Sequence, residues 1–415
     1  GKALSLADVA AFKSGKTHLL GTSLAGDGAL LASGAPNAPA GANRGAVQVF
    51  ERQVGGAFTT TEHITRAGGS DGDLFGWGLA AQGQELLVGS PGANNGGSGR
   101  GRVDLLARDG NKVWQLGSGP QPTSWGNAQK FGQAVAWVGD QAVVGAPGDD
   151  AGGADRGSVF VFTRKPNKSW EQQARLQPAN SKPGDQLGEA AATSFDGEQI
   201  ALGAVRGDPN KSDLNGHVWV YRKLQGVWTL SADFAPPPEI AASVDATDKK
   251  ARFGRAVAID GNRLLVAATG DSSKKKLGGS IALFRRDGAG KWDYKARIFP
   301  QRSEVGDTFP SALAIRGDRL LVGCNGCEQP SKSGDNHGRG FMFVFDGTTY
   351  SEAKELSANP QTYYELYGAS VGFAGDDAFV GASYTDNPAN STADDRVGGV
   401  YHFKLAPPSC EGADT

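Results

Sequence analysis

The stretch Phe131-Gly132-Gln133-Ala134-Val135-Ala136-Trp137-Val138-Gly139-Asp140-Gln141-Ala142-Val143-Val144-Gly145-Ala146-Pro147 decides the fold. An aromatic-glycine pair opens it. An alternating run leads to a Gly-Asp turn, and a continuous apolar run ends on Gly-Ala-Pro. A long polar loop follows, then Gly157-Ser158-Val159-Phe160-Val161-Phe162, then Trp170-Glu171-Gln172-Gln173-Ala174-Arg175-Leu176. The unit recurs in both directions. Its first mark stands at Leu20-Gly21, Phe75-Gly76, Phe131-Gly132, Leu187-Gly188, Phe253-Gly254, Phe309-Pro310 and Tyr367-Gly368. Its second stands at Gly34-Ala35-Pro36, Gly89-Ser90-Pro91, Gly145-Ala146-Pro147, Gly203-Ala204-Val205, Ala267-Ala268-Thr269, Gly323-Cys324-Asn325 and Gly381-Ala382-Ser383. Self-similarity at a near-constant period marks a repeat architecture.

Each copy reads as four short strands. The first alternates, as in Ala256-Val257-Ala258-Ile259, and ends in a two-residue turn such as Asp27-Gly28 or Asp260-Gly261. Such pairs tolerate positive φ and close a hairpin. The second is an apolar run, Leu264-Leu265-Val266, and the third resembles Val47-Gln48-Val49-Phe50. The fourth begins on an aromatic, at Trp114, Trp170, Trp228, Trp292 and Tyr350. Seven such units predict an all-β chain, a seven-bladed β-propeller of four-stranded antiparallel blades. The seventh copy stops after its third strand, Val400-Tyr401-His402-Phe403-Lys404, and residues 2–11 are an orphan segment before the first copy. That segment is expected to complete the seventh blade and so remove the last sheet edge. Residues 1–405 then form one domain, and 406–415 a tail or the start of a linker. The fourth copy is longer, with its extra residues around Pro236-Pro237-Pro238.

Composition agrees with this. The chain has 62 glycines and 20 prolines in 415 residues. Each costs roughly 1 to 3 kcal/mol inside a helix, which disfavours long helices. Lys+Arg is 42 and Asp+Glu is 44, a net charge of −2, so no nucleic-acid partner is expected. No apolar run reaches the ~18 residues that span a bilayer, so no membrane insertion is expected either. The chain opens on Gly1 rather than Met, which reads as a segment processed or cut from a longer precursor.

The two marks resemble the FG-GAP repeat, the repeat of the integrin α-subunit head. The resemblance runs over essentially residues 1–405. It implies a seven-bladed propeller in a secreted or cell-surface protein that serves adhesion and ligand recognition. Some fungal lectins are similar, with sugar sites between blades. In integrin-like copies the hairpin between the first two strands is often a calcium loop with Asp or Asn at alternate positions. Calcium takes six to eight oxygens. The hairpins here are short turns with at most one or two acids, so no cofactor is expected, and calcium stands as an alternative that the hairpin loops do not support. An aspartate two residues before the first mark recurs, at Asp73, Asp185 and Asp307, and reads as a turn cap, with a metal role as the alternative.

Strands that repeat are scaffold, so function is expected on the loops, where the copies differ. The long polar loops between second and third strands should share one face with the connections between blades. The ligand-binding candidates there are Asn94, Asn95, Asp149, Asp150, Asp208, Tyr384 and Asp386 on the loops, with Trp125, Tyr363 and Tyr364 in the connections. Acids and amides suit polyhydroxylated ligands or polar protein surfaces, and aromatics stack on sugars or anchor a partner. The competing reading makes the acids solvated loop residues and packs the aromatics between blades. The expected function is an extracellular recognition or adhesion module for a protein or glycan. The alternatives are a lyase or hydrolase with a site in the central channel, and a purely structural module of a larger surface protein. The five histidines, His18, His63, His217, His337 and His402, form no catalytic motif. An enzyme is therefore not expected.

Smaller signals remain. Lys274-Lys275-Lys276 reads as a solvated tip. Arg-Gly-Asp occurs at 206–208, in a long loop, and at 316–318, where the repeating hairpin accounts for it. Cys324 and Cys327 flank an Asn-Gly turn; zinc would need a second ligand pair, so a small structural disulfide is expected, with free thiols as the alternative. Cys410 lies in the tail. Asn167, Asn210 and Asn390 fit the glycosylation acceptor pattern, which matters in a eukaryotic source.

Overall fold

The computed structural model describes residues 2–4, 19–38, 42–123, 130–193, 197–204, 215–244, 251–328, 337–357, 366–383 and 398–405. These residues form seven four-stranded antiparallel sheets. Blade one is Ser23–Asp27, Leu30–Ala35, Ala46–Arg52 and Phe58–Thr65. Blade three is Val135–Val138, Gln141–Ala146, Ser158–Arg164 and Trp170–Leu176. Blades two, four, five and six follow the same order, each sheet running through its strands in sequence. In blade seven the outer position is taken by Lys2–Leu4, which pairs antiparallel with Gly399–Phe403. Residues 5–11 lie outside the described set. The one α-helix among the described residues is Pro238–Ala241, in the longer fourth copy. Its Ile240 is buried in the core between blades four and five.

The first mark turns out to be the stitch between blades. Its aromatic or leucine forms a parallel bridge to the glycine that precedes the third strand of the blade before it: Gly45 to Phe75, Gly101 to Phe131, Gly157 to Leu187, Gly216 to Phe253, Gly279 to Phe309 and Gly338 to Tyr367. Gly398 to Leu20 is the seventh stitch and closes the ring. The two marks also meet each other. A Cβ on Gly89 would lie 1.9 Å from the carbonyl oxygen of Gly132, and one on Gly145 2.1 Å from that of Gly188. Gly34, Gly203, Gly323 and Gly381 meet Gly76, Gly254, Gly368 and Gly21 in the same way. One blade's backbone rests on the next, and only glycine leaves room. At the remaining junction, between blades five and six, both marks depart together, Ala267 standing in blade five and Pro310 in blade six.

The core lies between blades. Val257 and Ile259 pack against Val218 and Val220 of blade four, while Ala258 packs with Leu313 and Phe341 of blade six. This large-small alternation repeats in the innermost strands as Leu24-Ala25, Leu79-Ala80, Val135-Ala136, Leu313-Ala314 and Val371-Gly372. A small residue on one side lets the neighbouring blade bury its large one, as close packing requires.

At the opposite end of blades one to six the aromatic that opens the fourth strand finds its partner. Arg52 pairs across the strands with Phe58, Arg108 with Trp114, Arg164 with Trp170, Lys223 with Trp228 and Arg286 with Trp292. Each cation sits 5.2 to 6.0 Å from the ring centroid. In blade six Phe345 takes the cation's place opposite Tyr350, and Arg263 of blade five covers both rings. Several of these arginines also reach a neighbouring blade, as in Arg108–Glu51 and Arg52–Asp377.

Candidate functional site

The loops between second and third strands share a backbone frame. Gly45, Gly101, Gly157, Gly279 and Gly338 donate to the carbonyls of Ala38, Ala93, Asp149, Asp271 and Cys327 at 2.6 to 3.0 Å, pinching each loop at its base. The far side of each loop is bonded to the next blade: Phe75 N–H to Arg44, Phe131 to Arg100, Leu187 to Arg156 and Phe309 to Gly278. The connections between blades are held as well. Asp73, Asp185 and Asp307 are buried, and each accepts the backbone N–H three residues earlier, from Ser70, Lys182 and Glu304. Loops and connections thus form one face, tied down at regular points.

Asn94 is exposed, and its side-chain oxygen accepts the Gly99 N–H at 2.8 Å. Asp150 does the same for Asp155, and Ser272 for Leu277. These residues shape their own loops. Asn95 donates to Gln121 at 2.7 Å. Asp149 is corrected by the structure. It is not a solvated loop acid but fully buried, ion-paired with Arg175 and accepting the Ala151 N–H. The loop doubles back onto the fourth strand, and an unpaired buried carboxylate would be too costly there. Trp125, Asp208, Tyr363, Tyr364, Tyr384 and Asp386 lie outside the described residues, as do Asn210, Asn390 and Cys410.

Asp149 belongs to a series that sequence reading missed. At the equivalent position Asp271 is 1% exposed. It meets Arg297 at 3.1 Å and accepts bonds from Ser280, Ser243 and Ser273. In blade six the polarity reverses: buried Arg339 holds Glu355 at 2.6 Å, and Cys327 takes the aspartate's place. In blade four His217 meets Asp233, and in blade two Arg102 and Arg66 hold buried Asp104. Burial opposes ionisation of Asp271, but its serine hydrogen bonds outweigh this and hold the carboxyl below its ordinary value. For Asp104 burial wins over Arg102 and Arg66 and pushes the carboxyl up. The two are expected to act oppositely on stability. The Asp271 contribution is present above its unfolded pKa and lost on acidification. The Asp104 contribution is present below its unfolded pKa and lost as pH rises through the folded one. Asp271→Asn should therefore flatten the acid limb of a denaturation–pH profile, and Asp104→Asn should steepen the net loss on acidification.

Cys324 and Cys327 form a disulfide, with Cα atoms 5.4 Å apart and both residues fully buried. It clips the blade-six turn where Asp149 and Asp271 clip theirs. So short a loop gains about 2 kcal/mol from chain entropy. Cys324→Ala with Cys327→Ala should cost about that much in urea denaturation and leave the fold intact.

The innermost strands enclose a channel of about 630 Å³. Its walls are mainly apolar, with Leu79, Val135, Trp137, Val257 and Phe373 among them, and Asp27, Gln82, Asp260 and Arg316 stand toward the hairpin end. Asp27 accepts the Gly83 N–H and Asp260 lies 3.6 Å from Arg263. None of the lining residues described is His, Cys, Ser or Thr. The Arg-Gly-Asp at 316–318 forms the blade-six hairpin, and Arg263 grips both Gly317 O and Asp318 at 2.8 Å. Arg206-Gly207-Asp208 lies outside the described residues. Of the described histidines, His402 lies 2.9 Å from Asp377 and stacks on Phe379. Burial lowers the basicity of His63, with Glu62 opposing. Exposed aliphatic residues lie on or beside the hairpins between third and fourth strands, such as Val54, Val113 and Val227, and within the outer strands, such as Leu116 and Leu230. On the loop face Val305 is 60% exposed. It stands beside the exposed Lys274–Lys276 tip, since Gly306 donates to Lys276 O. Nothing in its local sequence, Glu304-Val305-Gly306, signals this.

The FG-GAP repeat family matches residues 126–162. Comparison with curated protein sequences yields no match. Among solved structures the chain is similar to Sqt1 of Chaetomium thermophilum, at 16% identity over 94% of this chain and 89% of that one, with a TM-score of 0.52. It is also similar to a periplasmic gluconolactonase of Pseudomonas aeruginosa, at 15% identity over 81% and 84%, with a TM-score of 0.50. A protein from Lactobacillus plantarum gives 13% identity over 82% and 85%, with a TM-score of 0.50. At such identities the likeness is one of fold. With its marks stitching all seven blades into a ring, the chain is a seven-bladed β-propeller, one of whose repeats, at residues 126–162, matches the FG-GAP repeat.

Proposed function

We propose that the protein is an extracellular recognition module that binds a protein or glycan ligand noncovalently through the loop face. The observation that carries this reading is the shared frame of the described loops of blades two, three and five: their bases and far sides are fixed to the scaffold while Asn94, Asp155 and Lys274–Lys276 at their tips are exposed. A preformed surface binds without a large ordering cost. The disulfide supports a secreted or surface location, because such bonds persist in oxidising compartments. A lyase or hydrolase in the channel is supported by fold likeness alone. The test is saturable binding of the purified chain to a glycan array and to intact cell surfaces, with and without a chelator. The comparison is a variant carrying Lys274→Glu, Lys275→Glu, Lys276→Glu and Val305→Asp. Binding that survives chelation and falls at least tenfold in the variant, at unchanged melting temperature, is expected. No saturable binding on either surface would overturn the reading, and binding that needs calcium would overturn its metal-free form.

A further inference from the structure

We propose that Asn167 is an acceptor site for an N-linked glycan on the hairpin face, remote from the loops. Residues 165–169 join Ser158–Arg164 to Trp170–Leu176, and all five are exposed. Lys165 N–H donates to Ser169 O at 2.8 Å, and Lys168 N–H to Lys165 O at 2.8 Å, so the hairpin has a defined shape. Within it the Asn167 side-chain oxygen accepts two bonds from Ser169. One comes from the backbone N–H at 3.1 Å and one from the hydroxyl at 2.6 Å.

This local fold separates Asn167 from an asparagine that merely fits a pattern. The amide oxygen is held by the third residue of Asn167-Lys168-Ser169, and the amide nitrogen makes no hydrogen bond among the described residues. Donation to the oxygen draws charge from the amide, while the nitrogen stays open to solvent. Three other hairpins are built differently. Asp109, Asp287 and Asp346 directly follow their strands or stand next to the turn, and each accepts two backbone N–H groups of its own hairpin. In blade three Lys165 stands where Asp109 stands in blade two, and the side-chain cap moves to Asn167.

The reaction is a group transfer from a polyprenyl-diphosphate-linked glycan. A bond forms between the Asn167 amide nitrogen and C1 of the first sugar. The bond from C1 to the diphosphate oxygen breaks, and the diphosphate leaves with the electron pair. The nitrogen gives one proton to a base of the transferase. The glycan would project from the face opposite the loops, so modification and ligand binding do not compete for space.

The experiment passes the full chain through the secretory pathway of yeast and maps modified peptides by mass spectrometry. Secreted and cell-retained protein are both read, and the Asn167 peptide is scored separately from those of Asn210 and Asn390. A glycan is expected on Asn167, lost in Ser169→Ala, which keeps the asparagine, and retained in Ser169→Thr. Unmodified Asn167 in both pools overturns the site. A glycan that persists in Ser169→Ala overturns the role assigned to the Ser169 hydroxyl. The readout is covalent mass, so it stands apart from the success or failure of the proposed recognition function.

Discussion

Gly89→Ala should destabilise the protein by about 3–5 kcal/mol, at the extreme of what single substitutions do. The added methyl would stand 1.9 Å from the Gly132 carbonyl oxygen and 2.9 Å from its carbon. Both are backbone atoms at a blade junction, so no side chain can swing away to make room. Relief requires the two blades to part, which loosens the Gly101–Phe131 stitch nearby. The control is Ala267→Gly, the matching position of the one junction that does without both glycines. It should change stability by about 1 kcal/mol or less, the usual cost of added backbone freedom. Urea denaturation of the three proteins decides this. A Gly89→Ala variant as stable as the parent would mean that blades slide freely past one another.

The second large effect separates two adjacent acids. Asp149→Ala should cost about 1.5–3 kcal/mol, because it removes a buried carboxylate that accepts charge-assisted bonds from Arg175 and a bond from the Ala151 N–H. Arg175 is 31% exposed, so solvent will recover part of this and the lower end is expected. Asp150→Ala removes one accepted N–H bond at a half-exposed position, which costs about 0.5–1.5 kcal/mol. If loop-face binding falls in Asp149→Ala, it should fall together with the folded fraction. A stable, fully folded Asp149→Ala variant would return this residue to the ligand-binding candidates.

The architecture was open to reading because its two marks report on backbone contacts that tolerate only certain residues. Seven copies made the ring and its closing strand legible. What stayed hidden depended on distant partners. Asp149 and Asp150 look alike in a polar loop, and the burial of the first is decided by Arg175, 26 residues later. A signal did exist, since Asp271 and Arg297 stand at the same separation. Nor could the sequence reveal that the residue before each first mark is left-handed. Leu19, Leu74, Lys130, Gln186, Arg252, Thr308 and Leu366 all have φ between 43° and 60°. None is Gly or Asn, the residues that announce this conformation; the stitch to the preceding blade imposes it. Val305 was missed for the opposite reason, because a single exposed aliphatic carries no pattern.

The seventh stitch, Gly398 to Leu20, changes how the molecule should come apart. An open array of repeats frays from its terminal units, each released at the cost of one interface. A ring offers no terminal unit. Freeing any blade means breaking two junctions at once, and the strained arc left behind gains little until the rest follows. Unfolding should therefore be a single cooperative event with a high barrier, and amides at all seven junctions should exchange with solvent at similar rates.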